Sequence, residues 1–414
     1  MAAVQRHTGI NAAARRSAVT WEQEWLPEIQ ANLARLNQMD LGALPDGDLA
    51  AVLDDALRIL ARHWEIHFTI SFAVVNEFER WHRNRFPDAP ATEAQQLLQG
   101  QMNASLASDR ALWQLARGFD ALTLSDYLTR YGARPAIYCD LGAPTWAEAP
   151  APVLHLIEKY GSMADPAARV AAMAATAADL ARRVSERLEP AERPAFAELL
   201  TLARATARMK EDHSFWIEQQ TTGAVRRICV AFGRRLTGAG ILRAPGDVAL
   251  LTLAELLAFG AGQVQPHLPQ AIVARGAEWA ANRQVRPAPW VGATPEDDEP
   301  APPIATAWQG MGVSAGKVVG PARVVYNLAE AYQVQPGEIL VCRETDPGWT
   351  ALFGLAAGLV LDTFAGGMLS HAAIVAREYQ LPTVVRAEGI LASVRSGQVL
   401  AIDGTTGAVA LVQS

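Results

Sequence analysis

Cysteine is scarce in this chain: three residues in 414, Cys139, Cys229 and Cys342, far apart and in no paired metal spacing. That excludes a disulfide framework and a thiolate zinc site, and it fits a reducing compartment. Long apolar runs are missing too. None approaches the length that spans a bilayer, and the start, Met1 to Thr8, lacks the apolar core of a signal peptide. The expectation is a cytoplasmic protein with no membrane partner. Basic charge is in deficit, with 36 Lys and Arg against 43 Asp and Glu and a net charge of −7. A generic nucleic-acid binder needs clustered cations, so that class is excluded. The first 285 residues also lack the glycine-rich strand–loop pattern that cradles nucleotide phosphates.

What is present is half apolar and long enough for two or three domains. Residues 20–283 are rich in Ala, Leu, Arg and Glu, with apolar positions at three- and four-residue spacings, which predicts helices. Trp64, His67, Phe68, Ser71, Phe72 and Val75 fit one continuous helical face. Breaks are expected at 44–47, 86–90 and around Gly132, and an ordered crossing loop over 131–149. The stretch from Arg286 to Pro303 holds six prolines and an acidic cluster, so it reads as a semi-stiff linker and hinge. Beyond Ile304, β-branched runs at 317–326, 338–342, 359–361, 383–385, 398–402 and 408–412 alternate with helices expected near 349–355 and 370–379. The expected fold is therefore multidomain α and α/β. A helical domain (1–285) is followed by the linker (286–303) and a compact β/α domain (304–414).

One stretch carries chemistry. Gly366-Gly367-Met368-Leu369-Ser370-His371 runs into a short apolar helix, and His371 is the only histidine after His267. A helix N-terminus offers unpaired N–H groups and a dipole that suits phosphate oxygens. It also favours the neutral imidazole that attacks a phosphoryl donor. Gly366 and Gly367 keep the approach open, and Ser370 is placed as N-cap or phosphoryl donor. On these local features alone, a buried or capping histidine is an equal alternative.

The wider pattern bears on that choice. Gly312 to Val325, Pro336 to Val341, Thr345 to Phe353, Gly366 to Glu378, Leu381 to Val385 and Asp403 to Val409 come in one order. Together they resemble the swivelling phosphohistidine domain of PEP-utilising enzymes, the family of pyruvate phosphate dikinase, phosphoenolpyruvate synthase and rifampicin phosphotransferase. The resemblance implies that His371 is transiently phosphorylated. It also places Gly366, Gly367, Ser370, Arg377, Thr345 and Asp346 around it. Tyr131 to Pro135, Asp140 to Pro150, Lys210 to Trp216 and Ala244 to Leu256 are similar to the rifampicin phosphotransferase group, whose helical domain binds the acceptor. Two positions depart from the pattern: Ala133 stands where histidine is frequent, and Leu369 where pyruvate-type members carry threonine.

Whole enzymes of the family begin with an ATP-grasp domain, and pyruvate-using members end in a barrel; this sequence matches neither. The implied reading is a subunit of a split ATP-dependent dikinase, as in phenylphosphate and cresol phosphate synthase systems. A separate ATP-grasp subunit, with ATP and Mg²⁺, would charge His371 with the β-phosphoryl group, and a phenolic or apolar hydroxyl compound would accept it, leaving AMP and phosphate. The rivals are a phosphocarrier serving a protein partner and a pyruvate-type subunit. For the acceptor, Trp64, His67, Phe68 and Phe72 form one candidate wall, with His67 as general base, and Lys210, His213 and Trp216 a second. An aromatic stripe at helical spacing is more often core, and a charged helix face is more often solvated. His63 and His67 are spaced as a metal pair but lack further ligands, so no dedicated metal site is expected.

Overall fold

The computed structural model describes residues 12–90, 92–118, 123–135, 140–263, 265–282, 285, 306–345, 349–363 and 370–412. The expected hinge, 286–303, lies outside the described residues.

Helices dominate up to Asn282. The longest, Asp46–Thr69, starts behind Pro45 with Asp46 and Asp48 in its first turn, where they complement the helix dipole. It buries Leu49, Leu53, Ala56, Ile59, His63 and Ile66 at three- and four-residue intervals. Its end differs from the continuous face expected out to Val75. Ile70 turns extended, and Phe72 sits at the N-cap of the next helix, Ala73–Arg85. The Thr69 hydroxyl bonds back to the Glu65 carbonyl, 2.7 Å away, on the last turn before this break.

The helix Arg193–His213 passes into a π-helical stretch, Ser214–Thr221, and on into Thr222–Gly238. The crossing loop wraps this rod. Arg134 is fully buried, donates from Nε to Gln219 Oε1 at 2.8 Å and lies 4.6 Å over the Trp146 ring. Arg226 and Glu148 pair at 2.7 Å. Gly223 is required here, because a Cβ would meet the Ala133 carbonyl oxygen at 2.4 Å.

The C-terminal region folds around one eight-stranded sheet in the order β1-β8-β7-β3-β4-β5-β6-β2. The strands are Ala307–Gln309 (β1), Met311–Ser314 (β2), Lys317–Val324 (β3), Ile339–Cys342 (β4), Gly358–Leu361 (β5), Thr383–Val385 (β6), Val399–Asp403 (β7) and Ala408–Leu411 (β8). β3, β4, β5 and β6 run parallel, and β4 and β5 are buried at every residue, which explains their unbroken apolar runs. β3 serves two neighbours: Lys317 to Pro321 pair with β7, and Ala322 to Val324 with β4. β1 and β2 have no strong strand signature; they form by pairing with β8 and β6.

The two regions share a core. Tyr127, Trp146, Tyr160 and Phe215 from the helices cluster with Leu340, Trp349, Leu352, Phe353, Ala373 and Tyr379. Polar contacts fix the register of this seat. Trp146 Nε1 donates to Tyr332 Oη at 3.0 Å, Lys159 Nζ to the Val334 carbonyl at 2.7 Å, and Tyr160 Oη to the Ala351 carbonyl at 2.8 Å. The Tyr379 hydroxyl donates to the buried Asp109 carboxylate. Among the described residues no helix is long and apolar enough to cross a membrane.

Candidate functional site

His371 is the first residue of the helix His371–Glu378. Gly366, Gly367 and Asp346 lie outside the described residues, as does the His371 side chain. Ser370 is extended, at φ −65° and ψ 153°, and its Oγ accepts from the Ala373 N–H at 3.3 Å, which makes it the N-cap. The helix is held by burial of Ala372, Ala373, Val375 and Ala376 and by Arg377, whose Nε donates to the Val313 carbonyl at 2.7 Å. Thr345 ends the described stretch after β4, with its hydroxyl buried.

Ile374 and Glu378, four residues apart, share one side of this helix, and that side meets the helical region. Ile374, Arg377 and Glu378 close a cavity of about 360 Å³ whose other walls include Phe72, Val75, Glu79, Leu98, Gln99 and Lys210. Gln99 Nε2 donates to the Arg377 carbonyl at 3.2 Å across the same seam.

Electrostatics here are dominated by desolvation. Burial pushes the Glu378 carboxyl up to about 8. Glu211 is raised to about 8 by burial and then by the nearby Glu378. Burial raises Glu79 and brings Lys210 down to about 8. Arg377 is lowered by burial as well. Glu211 and Glu378 therefore tend to hold protons near neutrality, which leaves the cations of Lys210 and Arg377 less opposed by negative charge.

The two acceptor walls expected separately come together. Trp64 and His67 rings lie 4.7 Å apart, His67 and His213 5.0 Å, and Phe72 and His213 5.2 Å, while Lys210 Nζ sits 5.5 Å over Phe72. Phe68 joins the His67 ring edge-on at 5.0 Å and is 79% exposed. Trp216 is different: it packs between two apolar clusters and edge-on against Phe215.

Glu218 is the residue that sequence reasoning missed. Its Oε1 lies 3.2 Å from His67 Nδ1 and 3.8 Å from His213 Nε2, and its Oε2 accepts from Ser214 Oγ. In an α-helix, five residues advance about 500°, which would put Glu218 off the face of His213. The π-helical stretch removes that mismatch, because its i→i+5 bonding stacks the two. Nothing in the residue pattern announces such a stretch. Burial pushes His213 down to about 4, which keeps its ring neutral. His63 stands apart from the group: its Nδ1 meets Thr221 Oγ1 at 2.8 Å and its Nε2 lies 3.3 Å from Asn32 Nδ2, a core role.

A larger cavity, about 970 Å³, lies wholly within the helical region between Leu53, Leu57, Cys229, Leu250, Val273 and Trp279, with no residue from the sheet region.

Residues 334–407 match the model of the PEP-utilising enzyme mobile domain, and residues 119–211 that of the rifampicin phosphotransferase fourth domain. The chain is 30% identical to a chondramide synthase of Chondromyces crocatus over 95% of this chain and 12% of that protein. It is 27% identical to an uncharacterized phosphotransferase of Bacillus subtilis, over 84% of this chain and 47% of the other. Identity to a Streptomyces rifampicin phosphotransferase is 33%, over 69% and 34%. The chain thus spans less than half the length of each of these relatives.

Proposed function

Because the chain carries the mobile domain of PEP-utilising enzymes together with a rifampicin phosphotransferase fourth domain, we propose that it is a phosphotransferase in which His371 carries the phosphoryl group. The observation that carries the reading is the seam itself. The Ser370-capped helix that begins with His371 closes a cavity lined by Lys210 and Arg377.

In the first half-reaction, a nitrogen of His371 attacks the β-phosphorus of ATP bound to an ATP-grasp unit. An N–P bond forms as the bond between the β-phosphorus and the AMP oxygen breaks, and water then cleaves the γ-phosphate from the pyrophosphorylated ring as inorganic phosphate, leaving phosphohistidine. Mg²⁺ belongs with the nucleotide there, where it neutralises developing charge. We propose a partner subunit for that unit; the described residues before 306 hold helices and one isolated bridge, Pro135 with Thr145, and no sheet on which such a fold could be built, so the unit lies outside them.

In the second half-reaction, a hydroxyl oxygen of the acceptor attacks phosphorus, the N–P bond breaks, and an O–P bond forms. Lys210 and Arg377 hold the phosphoryl oxygens. The hydroxyl is activated at the neighbouring group of His67, His213 and Glu218, which Phe72 joins to the cavity. A cavity of about 360 Å³ with Phe72, Val75, Leu98 and Ile374 in its walls suits a one- or two-ring phenolic or apolar alcohol.

Incubation with the ATP-grasp partner and ATP labelled with ³²P at the β-phosphate gives acid-labile label on the wild type and none on His371→Ala. Equal label on the variant refutes the assignment.

A further inference from the structure

One ligand-type atom from each of His67, His213 and Glu218 falls within 4.8 Å of the other two. The resolved pairs, 3.2 Å and 3.8 Å from Glu218 Oε1, bracket the spacing of about 3.3 Å between ligands of a tetrahedral ion with bonds near 2.0–2.1 Å. His67 comes from the last turn of Asp46–Thr69, His213 is the last residue of Arg193–His213, and Glu218 lies in the π-helical stretch that continues it.

The surroundings are those of a built site. Ser214 Oγ bonds Glu218 Oε2, which leaves Oε1 to face both imidazoles. His213 Nε2 is directed at Glu218, while its Nδ1 is buried without a hydrogen-bond partner among the described residues. The aromatic rings of Trp64, Phe68 and Phe72 surround the imidazoles and lower the local dielectric. His213 and Glu218 are buried, while the His67 side chain keeps 22% exposure, which leaves an entry path.

We propose that His67, His213 and Glu218 bind one divalent ion of the Zn²⁺ class, with a fourth position open to the acceptor. A two-histidine, one-glutamate set with a free position is the donor set of hydrolytic zinc sites, and it suits Zn²⁺ better than Mg²⁺, which prefers an all-oxygen octahedron. Ion binding stands on this geometry alone; its role in catalysis rests on the phosphotransfer reading above. In that role the acceptor oxygen takes the fourth position and its proton passes to solvent. The resulting oxyanion attacks the phosphorus on His371, and the leaving imidazole nitrogen takes a proton from water as the N–P bond breaks.

The test uses the full chain, stripped with chelator and titrated with Zn²⁺ by calorimetry and with Co²⁺ by visible absorption. The expected result is one ion per chain with a tetrahedral Co²⁺ spectrum. Affinity falls more than about 100-fold in His67→Ala and Glu218→Gln, by about 10-fold in Ser214→Ala, and not at all in His371→Ala. Circular dichroism checks folding; the partly exposed His67 carries the test where the Glu218 variant does not fold. No stoichiometric ion on the wild type, or equal binding by His67→Ala, overturns the proposal. If the ion binds but His371 takes no label from ATP, the phosphotransfer reading fails and the metal site stands. If His371 is labelled and no ion binds, the metal site alone fails.

Discussion

Tyr379 is the most telling residue to alter at the seam between the two regions. Its hydroxyl donates to Asp109, which is fully buried on the helix Ala104–Ala116. Burial alone raises the Asp109 carboxyl, while the bond from Tyr379 and the charge of Arg134 pull it back, leaving it at about 6. At pH 7 the carboxylate is mostly ionised and depends on that donor. Tyr379→Phe deletes the donor without changing the ring, so the cost is that of a buried charged acceptor losing one bond, about 1–3 kcal/mol. At pH 5 the group is protonated, and the same deletion costs the smaller neutral-bond figure, about 0.5–1.5 kcal/mol. Urea unfolding of wild type and variant at both pH values measures the difference. A loss at pH 7 that exceeds the loss at pH 5 is expected, with a melting temperature lowered by a few degrees. An unchanged stability at pH 7, or equal losses at the two pH values, refutes the account of the seam.

Two further outcomes follow from the cavity. Lys210→Met leaves labelling of His371 intact and slows delivery to the acceptor by roughly 10²–10³-fold; a chase of labelled enzyme with a phenol reads this, and an unchanged chase rules out a role for Lys210. Glu211 and Glu378, both held at about 8 against an ordinary 4.5, bind more protons folded than unfolded between those values. Their contribution is present below about 4.5 and is lost as pH rises through 8. Glu378→Gln, which cannot ionise, therefore gains stability relative to wild type as pH climbs through that window. Denaturant midpoints that stay parallel for the two proteins contradict it.

Much of the sheet was readable because β4 and β5 at its centre are apolar at every position. β4, β5 and β6 lie where β-branched runs predict them, and the helix His371–Glu378 follows from its capping serine and small apolar residues. β1 and β2 were not readable, since their conformation comes from β8 and β6 rather than from their own residues. The break at Ile70 escaped periodicity because Phe72 still reaches His213 from the far side of the turn. Glu218 escaped because its i+5 relation to His213 has meaning only on a π-helix. The bond between Asp109 and Tyr379 joins residues 270 apart, and neither side chain betrays the other.

The apolar seat shared by the two regions constrains any journey of the sheet region. Trp349, Leu352 and Phe353 are dry only while Tyr160 and its neighbours cover them, and each such side chain left wet costs about 1.5–3 kcal/mol. On the proposed reading, a carrier that leaves this berth needs an equally greasy mooring where it is charged, a hydrophobic landing patch that mimics the one built by Trp146 and Tyr160.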